Sequence, residues 1–356
     1  MCIEPGKVSV IIPAYNRVET LRECLQSVNA QTYANIEVIL VDDASDVSIK
    51  DVVAAYQGDL RVPIKHLRLP VNSGPGAARE AGRRAAVGSY VCYLDSDDLW
   101  HPDKVSRQVD SLTRDSWAGM CYCVSQEFTV LPLTGAEPIR SGSNVAVRWF
   151  LPQILESRPW GTGACMWTRR STELVGPWWS GRDNEDYEYE CRAGCLDVEI
   201  AFVPEVLCYY RRGGGSVLTA ARPSLQRALA VLEMSRHLME AGKLKRVDIR
   251  RRLAWRLFDR GVGLLADPAA REVGSKCIKQ CYGLGGFRSR LTWAAAAVLA
   301  LTRVGAWRQA GQVGRRLKWR IAAAQAVKLA REGIVLRDRS ARGAGRTWAG
   351  VGTPRQ

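Results

Sequence analysis

Val8-Ser9-Val10-Ile11-Ile12 is an almost unbroken β-branched run that stops at Pro13-Ala14-Tyr15-Asn16. A run without polar alternation reads as a strand buried on both faces, as in a parallel sheet covered by helices on either side. The chain on its C-terminal side repeats that plan. Val18–Ala30 has helical spacing with Leu21, Leu25 and Val28 on one face, Ile36–Val41 is a second strand, Val47–Tyr56 a helix and Val62–Leu67 a third strand. Ser73–Ala86 is a helix entered through glycines, and Ser89–Leu94 is a fourth strand. Strands alternating with helices predict an α/β domain with a mixed, mostly parallel sheet flanked by helices.

The next segment is less regular. It is expected to hold strands at Met120–Thr129, Ala164–Thr168, Val198–Val203 and Val206–Tyr210, with helices at Val145–Leu155 and Glu185–Ala193. After Pro223 the composition turns to long Ala/Leu/Arg helices. These shifts divide the 356 residues into a domain over 1–222, a basic helical region over 223–336 and a basic tail over 337–356, expected to be disordered.

Charge divides the chain in the same place. Residues 1–221 hold 22 Lys and Arg against 28 Asp and Glu; residues 222–356 hold 29 against 8, which together give the net +15. The two parts therefore meet different partners. Eleven cysteines, an odd number at irregular spacing, and only three histidines argue for buried free thiols and a reducing cytoplasm, not for disulfides or a thiolate metal site. The opening residues do not form a signal peptide, and the longest apolar stretch of the basic region, Thr292–Thr302, falls short of the roughly 20 residues of a membrane span.

In open α/β sheets ligands bind beyond the carboxyl ends of the strands. Four polar motifs fall at such ends: Pro13-Ala-Tyr15-Asn16, Asp42-Asp43-Ala-Ser45-Asp46, Asn72-Ser-Gly74-Pro-Gly76 and Asp95-Ser96-Asp97-Asp98. So many carboxylates on one rim repel each other unless a cation joins them. Asp95 and Asp97 can reach one Mg²⁺ or Mn²⁺, whose other ligands would be diphosphate oxygens and water. By itself the turn would read as a solvated acidic cap; with the other rim motifs it reads as a site. The helix after Gly74 favours an anion at its N-terminus, and Arg79 in its first turns can pair with phosphate or hold an acidic rim residue. In Asp183-Asn-Glu185-Asp186-Tyr-Glu188-Tyr-Glu190, a carboxylate at a helix start stays ionised, which suits a general base.

These five motifs, in this order, resemble glycosyltransferase family 2 over roughly residues 7–216: Val8–Arg17, Val41–Ser45, Asn72–Arg79, Tyr93–Asp98 and Glu185–Glu188. The resemblance implies a GT-A (Rossmann-like) fold, a nucleotide-sugar donor, a divalent cation and inversion at the anomeric carbon. It implies that Pro13, Tyr15, Asn16, Asp42 and Asp43 contact the nucleoside, with Asp43 on the base. Asn72, Gly74, Arg79, Asp95, Ser96, Asp97, Asp98 and Arg211 complete the nucleotide-sugar set, with Asp95 and Asp97 as metal ligands. Asp186 matches the catalytic base, with Glu185 beside it, and Gly161-Thr-Gly-Ala164 and Trp178-Trp179 shape the acceptor side. One position departs: family members often carry Tyr-Arg-x-His where this chain has Tyr210-Arg211-Arg212-Gly213, so Arg211 or Arg212 would supply the missing charge. The Gln-x-x-Arg-Trp motif of processive members is absent, which points to single additions.

The basic region has no catalytic constellation. Trp255, Trp293, Trp307 and Trp319 lie among Arg-rich patches such as Arg250-Arg-Arg252 and Arg315–Arg320, a composition suited to peripheral contact with an anionic membrane or to a solvated helical face. Nucleic acid ranks last, since no binding motif accompanies the charge. The expectation is an inverting, metal-dependent transfer from a UDP-sugar to a hydroxyl of a surface-glycan or lipid-linked acceptor, in the cytoplasm at the inner face of the plasma membrane. The alternative is a non-catalytic nucleotide-sugar-binding scaffold acting through its basic half.

Overall fold

The structure is a computed structural model that describes residues 3–331 except 55–57, 59, 136–137, 141, 214–223, 285–289 and 304. The expected tail at 337–356 and most of the expected domain boundary lie outside the described residues. In chain order the strands are β1 (Glu4–Ala14), β2 (Ile36–Asp42), β3 (Ile64–Arg68), β4 (Gly88–Tyr93), β5 (Leu99–Trp100), β6 (Met120–Phe128), β7 (Cys165–Thr168) and β8 (Ile200–Arg211). They form one sheet in the order β3-β2-β1-β4-β7-β6-β8-β5. The β3–β2, β2–β1, β1–β4 and β6–β8 pairs are parallel, and β4–β7, β7–β6 and β8–β5 are antiparallel.

The opening run is what a central parallel strand requires. Val8, Ser9, Val10, Ile11 and Ile12 are all fully buried. The one polar member is satisfied: Ser9 Oγ donates to Glu37 at 2.5 Å and accepts from the Gly88 amide at 2.8 Å. Helices α1 (Val18–Asn29), α2 (Ile49–Ala54), α3 (Pro75–Ala85), α4 (Lys104–Arg114), α5 (Arg169–Val175) and α6 (Glu185–Cys195) accompany the sheet. In α1, Leu21, Cys24, Leu25 and Val28 are the buried face.

Two local expectations need correction. Val145–Leu155 is not a helix; only Gln153–Leu155 forms a 3₁₀ turn. Its upstream part pairs laterally instead, with Arg148 O accepting from the Ile200 amide at 2.9 Å and Trp149 bridged to Glu199, and Pro152 interrupts any helical ladder. The two strands expected at 198–203 and 206–210 are one, β8, whose register against β6 jumps from Val203 to Val206. Pro204 and Glu205 bulge outward there, because proline has no N–H for the ladder. Helix α5 was not legible. In α4, Lys104 is fully buried with Nζ 2.6 Å from Gln108 Oε1 and over the Trp100 ring.

The basic region is helical: α7 (Leu225–Glu240), α8 (Val247–Leu264), α9 (Arg271–Leu284), α10 (Arg290–Arg303) and α11 (Trp307–Arg331). Its core is continuous with the α/β part, since Leu151, Ile154, Leu155 and Cys191 share a cluster with Met234, Leu253, Leu257 and Phe258. These helices therefore lean on α6. No described helix is long and apolar enough to cross a membrane. The ten described cysteines are free thiols, all buried except the half-buried Cys195.

Candidate functional site

Parallel pairing places the C-terminal ends of β1, β2, β3 and β4 on one side of the sheet, where they open into a cleft of about 830 Å³. Pro13, Tyr15, Asp43, Asn72, Gly74, Arg79, Asp95, Ser96, Asp97, Arg211, Glu185 and Asp186 all reach its wall. A second cavity, about 640 Å³ and bordered by Trp149, Gly194 and Lys243, holds none of the expected site residues.

At one end of the cleft, Asp43 organises the neighbouring loop. Its two oxygens accept from the amides of Ser73 at 2.7 Å and Gly74 at 2.8 Å. Burial raises its carboxyl above the usual value, against those two hydrogen bonds and Arg182. Gly74 stands at φ +88°, a left-handed conformation that favours glycine, and Pro75 then starts α3. Thus Asp43 already satisfies two donors near the α3 N-terminus that sequence reading leaves free for an anion. Tyr15 is 44% exposed at the rim.

The Asp95–Asp98 turn closes on itself through Asp98 N to Asp95 O at 3.0 Å. Arg211 secures it from β8: its amide donates to Asp98 Oδ1 at 2.9 Å, its Nε to Asp97 O at 2.9 Å, and its guanidinium pairs with Glu23. Burial, then the charge of Asp95, pushes Asp97 upward, while Arg17 at 3.8 Å opposes. Buried Asp98 is raised further, by burial first and then by Asp95 and Asp97.

The opposite wall is the start of α6. Arg79 spans the cleft floor, with Nη2 2.7 Å from Asp95 Oδ1 and Nη1 2.5 Å from Glu185 Oε1. Burial pushes Glu185 to about 7, Arg79 resists, and the adjacent Asp186 charge adds to the rise. For Asp186, burial alone would also raise the carboxyl. Arg158 first, then Arg79, the Tyr187 amide and Arg140 outweigh it, so Asp186 lies below its usual value. The side chain remains 19% exposed, with Arg158 Nη1 at 2.8 Å.

Three expected residues do not reach the cleft. Asn16 ties two loops, exchanging hydrogen bonds with Asp46 at 2.8 Å each. Asp42 is fully buried against Arg68 and the Ser45 amide, and Asp98 lies behind the turn. Trp178 is also buried: it stacks on Tyr189 with ring centroids 4.3 Å apart, beneath Arg79. Gly213 is on the cleft rim at φ +92°, and Arg212 beside it pairs with Glu127 at 2.6 Å.

Sequence reading missed a set of arginines, Arg140, Arg158, Arg182 and Arg227, that also line the cleft. They come from scattered positions without a spacing signal. Arg227 lies in the basic region, on α7, and pairs with Asp183 at 2.8 Å. The half-buried Arg256 of α8 lies 4.8 Å from the ring centre of Tyr187, next to Asp186. The basic region thus contributes Arg227 to this wall and packs Arg256 against Tyr187.

The turn suits a divalent cation of one kind. Asp95 and Asp97 both face the cleft, and their mutual repulsion shows in the raised Asp97. Two carboxylates are what Mg²⁺ commonly takes when phosphate and water complete its shell. Among the described residues no three His, Cys, Asp or Glu converge into a closed cage.

Comparison with known proteins agrees with this geometry. Residues 9–164 match the family model described as Glycosyl transferase family 2. An uncharacterized glycosyltransferase of Rickettsia conorii is 39% identical over 111 residues, 31% of this chain and 18% of that one. TuaG of Bacillus subtilis, named for teichuronic acid biosynthesis, is 37% identical over 112 residues, 31% of this chain and 44% of its own length. The match therefore spans less than half the length of these relatives. Staphylococcus aureus TarS 1-349 in complex with UDP superposes with a TM-score of 0.66 at 16% identity, over 95% of each chain. The mannosyltransferase PcManGT of Pyrobaculum calidifontis, in complex with GDP-Man and Mn²⁺, gives 0.53 at 20% identity, over 90% of this chain and 86% of that one. At such identities the likeness is one of fold, the GT-A fold with added C-terminal helices.

Proposed function

We propose that this chain transfers a sugar from a nucleotide-sugar, UDP-linked, to a hydroxyl of a surface-glycan or lipid-linked acceptor, with inversion. The observation that carries the reading is that Asp95, Asp97, Glu185 and Asp186 share one cleft wall system joined by Arg79. Asp43, Tyr15 and Pro13 sit where the nucleoside would lie, and Asp95 and Asp97 would hold Mg²⁺ or Mn²⁺ with the diphosphate. A bound cation supplies Lewis-acid stabilisation of the diphosphate's charge. Asp186 accepts the acceptor's hydroxyl proton; that oxygen bonds to the anomeric carbon as the carbon–oxygen bond to the diphosphate breaks. Depression of Asp186 keeps it ionised, and Arg79 and Arg211 fix the turn that faces the leaving group.

The relatives support the donor class: TarS is described with UDP and with UDP-GlcNAc, PcManGT with GDP-Man and Mn²⁺. The name of TuaG supports a cell-envelope glycan as acceptor. The test is release of nucleoside diphosphate from a panel of donors with and without Mn²⁺. Asp186→Asn and Asp97→Ala should each lose turnover; parental rates in both would end this reading. Nucleotide binding with no turnover across donors and acceptors would instead favour the scaffold reading, for which Gly213 in the histidine position is the motive.

A further inference from the structure

Arg158 belongs to no motif, yet it is the most heavily engaged cation of the cleft. Its side chain is 5% exposed. Its Nε and Nη2 grip Glu190 at 2.8 and 2.6 Å in a bidentate fork, its Nη1 lies 2.8 Å from Asp186 Oδ2, and its Nη2 is 3.2 Å from Thr162 Oγ1. Glu190 lies one turn beyond Asp186 on α6 and is itself buried. A guanidinium held on one side by two parallel hydrogen bonds has little freedom left, so its third nitrogen stays as an ion-pair partner of Asp186 Oδ2, to which Thr162 Oγ1 also donates at 3.4 Å. The other Asp186 oxygen accepts from the Tyr187 amide at 2.8 Å, which completes the restraint.

We propose that Arg158 is a positioning residue for Asp186: anchored on Glu190, its guanidinium fixes the orientation of the Asp186 carboxylate in the cleft and keeps it charged. This rests on the assignment of Asp186 as base but concerns a different residue. Other charges facing Asp186 are Arg79 of α3, Arg140 of the irregular segment, and Glu185 and Glu190 of α6. Arg158 alone among the cations forms a direct ion pair with Asp186 in the described residues. An arginine beside an aspartate lowers its carboxyl by about one to three pH units. Lysine at 158 keeps a charge but cannot reach Glu190 and Asp186 together.

The experiment is direct titration of Asp186 in the full chain by NMR with ¹³C-labelled aspartate carboxyls, the signal being assigned with Asp186→Asn. Arg158→Lys should raise the Asp186 midpoint by about one unit or more. A midpoint unmoved in a folded Arg158→Lys protein overturns the proposal. Should that variant not fold, Arg158→Gln, which keeps an N–H for Glu190 and loses the charge, takes its place, and an unmoved midpoint there overturns it. Donor turnover by Asp186→Asn, measured separately, would remove the base assignment and leave the titration result standing.

Discussion

Asp95 and Glu185 are held on opposite sides of one guanidinium: Arg79 is 2.7 Å from the first and 2.5 Å from the second. Asp95 ends a strand and Glu185 begins a helix in a later part of the chain. Arg79 is 5% exposed, so the link is a buried one on the Glu185 side and a partly solvated one at Asp95. The two halves of the cleft are thereby mechanically coupled.

Arg79→Met should therefore lower stability and turnover together. Removing one partner of a buried pair costs about 3–5 kcal/mol, and the lower end applies here because Asp95 is partly solvated. Glu185 can also take up a proton. Urea unfolding should show a smaller loss at pH 6 than at pH 9; equal losses would mean that Glu185 is not the group left unpaired.

Glu185 gives the parent protein a pH signature. Its carboxyl moves from the ordinary 4.5 to about 7 in the fold, so between these values the folded chain holds a proton that the unfolded chain has released. The stabilisation is complete below pH 4.5 and is lost as pH rises through 7, an effect of about 3 kcal/mol from this group. Glu185→Gln should flatten the stability curve across that window. A slope unchanged from the parent would assign the proton elsewhere.

Gly76 allows α3 to approach the loop that precedes α6. A Cβ there would lie 2.1 Å from the backbone oxygen of Trp179, a contact that neither side can relieve by a rotamer change. Gly76→Ala should cost about 1–3 kcal/mol and weaken nucleotide binding, read by thermal melts with and without UDP and Mn²⁺. Gly283→Ala is the control. Nothing lies within 4 Å of that position in α9, so the change should be neutral or stabilising by up to about 1 kcal/mol.

On α11, Trp319 is 63% exposed and lies among Arg315, Arg316, Lys318 and Arg320. Co-sedimentation with phosphatidylglycerol vesicles should exceed that with phosphatidylcholine, fall in Trp319→Ala and weaken at high salt. Equal recovery with both lipids would remove the anionic-membrane reading of the basic helices.

The motif order, the strands β1 to β4 and the carboxylates of the cleft were legible because each carries a local pattern. An unbroken apolar run, a strand-end Asp-x-Asp and a glycine-led helix are written in neighbouring residues. Asn16, Asp42 and Asp98 stand in those same motifs yet turn away from the cleft, because direction at a strand end depends on which neighbour offers a hydrogen bond. The burial of Lys104 and Gln108 in α4 was not legible, because they satisfy each other and their polarity misreports their burial.

The sequence by itself determined the sheet's parallel half, the family resemblance and the presence of two carboxylate groups for one site. Only the tertiary structure decided how those groups are wired. Arg79 takes both Asp95 and Glu185, Arg158 takes Asp186 and Glu190, and α7 brings Arg227 to the same wall while Arg256 of α8 packs on Tyr187. An arginine carries no spacing code for its partner. Its long side chain is assigned by whichever buried carboxylates the fold leaves within reach, and that is settled only when distant segments pack.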